Sequence, residues 1–155
     1  MPNDMSPIDQ GEKFSITNFL EGRTRAWGIF EDRFGNVKLR LNVVMNGSWS
    51  GDTFILDEEF QYQDGRRETR QWRVKPTSDG LFTATCEDCI GEAAGFTKDG
   101  RVEMRYRFRL KLQKKTLNVS FLDRLIKIDE KRAVNRAAMY KWGIKLGELS
   151  LFFEK

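Results

Sequence analysis

Residues 56–74 spell out a β-hairpin whose apolar face contains charge. The segment reads Leu-Asp-Glu-Glu-Phe-Gln-Tyr, then Gln63-Asp64-Gly65, then Arg-Arg-Glu-Thr-Arg-Gln-Trp-Arg-Val. Asp-Gly between two alternating runs is a strong turn signal. Leu56, Glu58, Phe60 and Tyr62 share one face of the first arm, and Arg70, Trp72 and Val74 share one face of the second. A three-residue loop with Gly65 left-handed pairs Tyr62 with Arg66. That register sets Glu58 opposite Arg70 and Leu56 opposite Trp72. Opposite charges then meet on the apolar face, where isolated charge is expensive. A sheet that tolerates this must curl around a partly polar interior, so the hairpin predicts a β-barrel.

The rest of the chain agrees. In residues 101–112, Val102, Met104, Tyr106, Phe108, Leu110 and Leu112 alternate strictly with Arg101, Glu103, Arg105, Arg107, Arg109 and Lys111. This is a half-buried antiparallel strand. Residues 25–32 and 37–44 form a first hairpin, with Gly28 and Phe30 opposite Leu41 and Leu39. Further turns are expected at Asn46-Gly47, at Gly51-Asp52, over 76–80 and at 98–100. Residues 81–86 and 90–97 read as short strands, the latter broken between Gly91 and Gly95. Residues 116–128 form another strand, with an interruption at 122–124. Residues 132–142 and 144–153 make a last hairpin around Gly143, although Ala133, Ala137 and Ala138 leave a helix open for 132–145. About ten successive short strands without a crossover helix indicate an up-and-down antiparallel barrel or sandwich. Phe14 to residue 20 supplies a short helical turn for one end. Residues 1–12, with Pro2 and Pro7, read as a flexible arm before a single domain over 13–155.

Composition excludes several chemistries. The 155 residues suffice for one domain with a core. There is no histidine, which removes Ser-His-Asp and Cys-His catalysis and histidine-ligated haem. Neither a phosphate loop nor a dinucleotide-binding glycine motif occurs. The cysteines form Cys86-Glu-Asp-Cys89. A zinc site needs about four ligands, so no metal or cofactor is expected. In a regular strand the two thiols point to opposite faces. No apolar run approaches the roughly 18 residues of a membrane helix. The first residues lack a basic n-region and an apolar h-region, which leads to an expected cytoplasmic location, or the cell envelope if a leader has been removed.

The net charge of +4 permits an anionic partner without requiring one. Residues 98–115 are rich in Arg and Lys with interleaved aromatics. Yet Tyr106 and Phe108 face away from the arginines, so one surface cannot both stack bases and pair phosphates. No nucleic-acid partner is expected. The arginine face reads as a solvated exterior that discourages edge association.

The order Gly28-x-Phe30-x-Asp32-Arg33-x-Gly35, Gly47-x-Trp49-x-Gly51, Leu56-x-Glu58-x-Phe60-x-Tyr62-x-Asp64-Gly65 and Arg70-x-Trp72 resembles the DUF3833 family of bacterial proteins of unknown function. Asp88-x-Ile90-Gly91-x-Ala93-x-Gly95, Asn135-Arg136-Ala137-x-Met139-x-Lys141-x-Gly143 and Gly147-Glu148 extend the resemblance to nearly the whole chain. It implies an all-β, lipocalin-like (calycin) barrel of about eight to ten strands, and a group with many secreted or lipid-anchored envelope proteins. It implies no reaction.

Three readings of function follow. In the first, the barrel binds a small apolar or amphipathic molecule. Glu58, Arg70 and Lys141 fix its polar end, and Tyr62, Trp72 and Asn135 complete the contacts. A carboxylate suits an inward arginine, whose fork matches it bidentately. In the second, the twelve phenylalanines and four tryptophans fill the barrel, leaving an interaction module. In the third, an enzyme uses Glu58, Asp88 or Asp123 as an acid, a reading weakened by the absent histidine and nucleophile motif. An enclosed void above about 300 Å³ with convergent polar groups separates the first from the second.

Overall fold

The strand with strict alternation organises the barrel. A computed structural model describes residues 14–155; the expected arm over 1–12 lies outside the described residues. A short helix α1 (Ile16–Leu20) is followed by β1 (Gly22–Asp32), β2 (Val37–Ser50), β3 (Thr53–Tyr62), β4 (Arg67–Ser78) and β5 (Leu81–Thr85). Then come β6 (Cys89–Lys98), β7 (Arg101–Lys111), β8 (Thr116–Lys127), β9 (Arg132–Lys141) and β10 (Ile144–Glu154). Each strand pairs antiparallel with the next, and β10 returns to β1, so the sheet closes into a ten-stranded barrel. On β7, Val102, Met104 and Phe108 are buried, Tyr106 and Leu110 are half-buried, and Arg105, Arg107 and Arg109 face solvent. Closure satisfies the ladder groups that so many strands would otherwise leave as edges.

Local chemistry sets the hairpins. Glu58 pairs with Arg70 and Leu56 with Trp72. Gly65 takes φ +91° in the three-residue loop, and the Tyr62 amide donates to the Arg66 carbonyl at 3.0 Å. In the first hairpin Gly28 opposes Leu41 and Phe30 opposes Leu39. The Asp32 carboxylate accepts from the Phe34 and Asn36 amides at 2.9 and 3.0 Å and holds that turn.

Four expected breaks are resolved differently. No turn forms at Asn46-Gly47, because β2 runs through it to Ser50. The loop over 76–80 shrinks, since β4 continues to Ser78 with a register shift after Pro76. The break at 91–95 becomes a bulge in β6, with the register shifting between Ile90 and Ala94. Two extra residues on β6 bend the strand without ending it, which glycine-rich sequence does not distinguish from a turn. β8 passes through 122–124 unbroken. The last hairpin forms as expected: residues 132–141 are strand, hydrogen-bonded to β8 and β10 on either side, and the helix left open for 132–145 does not form. Pairing on both edges overrides the helical preference of its alanines, and Ala133 and Ala137 are buried facing inward.

α1 closes one end of the barrel. Its five residues are too few to persist on propensity, so packing holds them. Ser15 caps the helix by accepting from the Asn18 amide at 3.0 Å, and Phe19 and Leu20 are buried. Gly47 explains why the chain stays extended beneath α1. A Cβ there would collide with the Leu20 carbonyl and the Phe54 ring. Gly47→Ala is therefore expected to push α1 off its seat and cost about 1–3 kcal/mol in urea unfolding. An unchanged midpoint would mean that α1 is not seated against β2.

Candidate functional site

Alternation sends every second side chain of ten strands inward, and these side chains do not fill the space. They leave an interior cavity of about 550 Å³. Ile16 and Leu20 of α1 lie at one end of it, and Lys38, Arg66 and Lys111 lie at the other, where the β1–β2, β3–β4 and β7–β8 turns form an open mouth. Its wall is largely apolar, with a cluster of aromatic rings on β4, β7 and β8. Trp72 meets Tyr106 edge-on at 5.2 Å, and Tyr106 stacks on Phe121 at 5.2 Å. Phe108 meets Phe121 edge-on at 5.8 Å.

A polar pole interrupts this wall. Glu58 and Arg70 are cross-strand neighbours and both line the cavity. No hydrogen bond joins them: Glu58 Oε1 and Arg70 Nε are buried without a partner among the described residues. The Arg70 guanidinium instead lies between the Phe60 and Phe108 rings, 4.8 and 4.7 Å from their centroids. Asp123 completes the pole. Its carboxylate accepts from Asn135 Nδ2 and from the Tyr106 hydroxyl at 3.4 Å, and Asn135 Nδ2 also donates to the Arg124 carbonyl at 3.2 Å. A polar groove outside β3, β4 and β5 shares Glu58, Arg70 and Asp88 with the cavity, so the pole lies where the two meet.

Enclosure reshapes the acid–base chemistry. Burial pushes the Glu58 carboxyl up to about 7, against the pull of Arg70 and with a push from Asp123. Burial pushes Asp123 up to about 6, with the Asn135 and Tyr106 hydrogen bonds opposing. Burial also raises the Tyr106 phenol well above its usual range. For Arg70 burial opposes the charge, but Glu58, with Tyr106, Cys86 and Glu68 adding to it, outweighs burial and holds the guanidinium above its ordinary value. Glu58, Tyr106 and Asp123 keep some accessible surface because that surface faces the cavity. At neutral pH the pole thus presents a fixed cation and a carboxyl poised to give or accept a proton.

Of the residues singled out in the sequence, Glu58, Tyr62, Arg70, Trp72 and Asn135 all line the cavity. Tyr62 sits nearer the mouth, where its hydroxyl donates to Glu68 at 2.7 Å. Lys141 stands apart from the cavity wall. Its ammonium donates to the Asn118 carbonyl at 2.9 Å and lies 4.6 Å from the centre of the Trp142 ring. The strand's inward phase is right, but β9 ends there, at the rim. Tyr106 and Asp123 were missing from the expected ligand contacts. Asp123 had a visible signal: it is the one charge in the inward series Leu117, Val119, Phe121, Asp123, Leu125. The cysteines also differ from expectation. β5 stops at Thr85, so Cys86 lies in a tight turn whose Cys89 amide donates to the Cys86 carbonyl at 3.1 Å. The thiols are therefore brought together, Sγ to Sγ 3.0 Å, rather than pointing to opposite faces.

A closed up-and-down barrel with an apolar cavity and a charged pole defines a lipocalin-like protein. The chain belongs to the DUF3833 family, described as proteins of unknown function, whose model matches residues 4–155. Among solved structures it is similar to an S-type phycobiliprotein lyase, CPES, from Guillardia theta, with a TM-score of 0.64 and 6% identity over 91% of each chain. At that identity the likeness is one of fold. No curated protein matches the sequence. Among the described residues, no helix is long and apolar enough to cross a membrane.

Proposed function

We propose that this protein binds a small amphipathic molecule inside the barrel, apolar body against Trp72, Phe108 and Phe121, polar head at Arg70 and Glu58. The observation that carries this reading is a cavity of about 550 Å³ converging on two unpartnered buried polar atoms, Glu58 Oε1 and Arg70 Nε. A barrel filled by its own aromatics would leave neither. A carboxylate or similar anionic head fits best. Arg70 donates to it, and Glu58, able to hold a proton near neutral pH, donates as well instead of repelling it. That a phycobiliprotein lyase uses a barrel of this shape agrees with ligand handling but transfers no substrate.

The test uses anilinonaphthalene sulfonate, an apolar probe with one anionic group, together with native mass spectrometry of the purified protein. Saturable one-site binding with a fluorescence gain is expected. Asn135→Leu, which removes the donor orienting Asp123 and narrows the pole, is expected to weaken the probe about tenfold or more while the fold persists. A folded wild-type protein that binds no probe and carries no co-purified molecule would refute the reading.

A further inference from the structure

The open mouth is flanked by an arc unlike the rest of the surface. Three hairpins that neighbour one another around the barrel, β7–β8, β9–β10 and β1–β2, end there. Their tips expose Phe34 (75%) and Trp142 (87%), with Val37, Leu112 and Ile144 beside them. Cations are interleaved: Arg33, Lys111, Lys114, Lys115, Lys141 and Lys145. No carboxylate occurs from residue 104 to 122. Lys111 and Lys145 are partly neutralised by Asp88 and Glu148. Lys114 and Lys115 make no ion pair among the described residues. The rest of the rim carries more carboxylate: Asp64 pairs with Arg66 at the β3–β4 turn, and Glu87 and Asp88 lie at the β5–β6 turn beside β7.

Trp142 adds a second, independent observation. Trp142 and Gly143 form a two-residue turn with φ of +51° and +73°. Such turns favour Asn-Gly, and a bulky side chain at positive φ is strained. An exposed indole held in that conformation contributes nothing to the core. We propose that this arc docks the mouth of the barrel onto an anionic phospholipid bilayer, inserting Phe34 and Trp142 at the headgroup level while the lysines meet lipid phosphates. Aromatic residues at an interface with basic neighbours are the chemistry such a surface selects. A second copy of the chain is a poor occupant, because a two-fold contact would bring the basic arcs together. The cavity opens within the same rim, so a docked barrel faces its amphipathic ligand's natural solvent. This deepens the ligand-binding reading, from which it is tested separately.

The experiment is co-sedimentation of the full chain with vesicles of phosphatidylcholine alone and with added phosphatidylglycerol. Binding is expected to the anionic vesicles, and to weaken with salt. Trp142→Asn with Phe34→Ser is expected to lower affinity roughly tenfold or more. Because Trp142→Asn creates an Asn-Gly turn, the same variant should be at least as stable as the wild type, which a merely structural tryptophan would not allow. Lys114→Glu with Lys115→Glu should also weaken binding, roughly fivefold or more per residue. Docking is overturned if neutral and anionic vesicles bind alike or not at all. It is also overturned if the lysine variant loses binding while the tip variant keeps it, which is charge adsorption alone. A wild-type dimer that the tip variant converts to monomer assigns the arc to self-association and overturns it too. Probe binding without vesicles reports the cavity independently. Its absence refutes the ligand reading and leaves docking standing, whereas vesicle results do not bear on the cavity.

Discussion

Arg70→Met is expected to destabilise the fold by about 3 kcal/mol or more at neutral pH, the range seen when one partner of a buried charge pair is removed. Two losses combine. The guanidinium lies between the Phe60 and Phe108 rings, and a desolvated cation over an aromatic face is worth about 1–2 kcal/mol. It is also the cation nearest in effect to Glu58, whose carboxylate would be left enclosed without it. Glu58 can escape by taking a proton, and this makes the prediction sharper. The loss should shrink toward about pH 5, where Glu58 is neutral in either protein, and grow above about pH 8, where it must ionise. Arg70→Met with Glu58→Leu should recover much of the loss, with a coupling energy above about 1 kcal/mol in a double-mutant cycle followed by urea unfolding. Additive losses would mean that the two residues do not sense one another despite their shared register.

The register of that pair was legible because it depends on period two and one Asp-Gly turn, both local. The ten-strand closure followed from the same signal repeated along the chain. What was not legible depended on contacts between distant segments. Asn46-Gly47 looks like a turn, and only α1 packing on β2 shows why glycine is needed there. Residues 132–141 carry helix-favouring alanines, and only pairing with β8 and β10 decides for strand. Glu58 and Arg70 lie opposite one another as the register predicts, yet no hydrogen bond joins them. Instead the rings of Phe60 and Phe108, the latter from β7, hold the guanidinium, and no local pattern encodes that sandwich. In sequence, Asp123 reads as a strand interruption because a single charge in an apolar run has two meanings. Its partner Asn135, twelve residues away across a turn, selects the inward one. Lys141 failed for a different reason. Alternation gives a side chain's face but not its depth, and at the last residue of β9 the inward phase points into the rim.

Lowering the pH from about 7.5 to about 5 is expected to stabilise the protein, by roughly 2–3 kcal/mol. Glu58 is held up at about 7 from an ordinary 4.5, and Asp123 at about 6 from 3.8. Between those values the folded state holds protons that the unfolded chain has released. Unfolding then releases protons, so its free energy falls as pH rises through the window. The contribution is fully present below about pH 4 and gone above about pH 7. Taken separately the shifts correspond to about 3 kcal/mol each. Asp123 is one cause of the Glu58 shift, and both face a cavity that water can enter, so the sum is discounted. A second set of carboxylates acts in the opposite direction. Asp32 is held down by the Asn36 amide, Asp64 by the Arg66 amide and Asp129 by the Arg132 side chain. Their contribution is present above the ordinary carboxylate range and lost below about pH 4, which places the stability maximum at roughly pH 4.5–5.5. Urea unfolding across this range checks the curve. Glu58→Gln with Asp123→Asn should flatten the slope between about pH 5 and 7.5 and leave the acid limb intact, since the groups that set that limb lie at surface turns. A wild-type stability that is flat or rising across the same window would mean that solvent reaches both carboxyls freely, and the charged pole would then be a feature of an open groove rather than of an enclosed site.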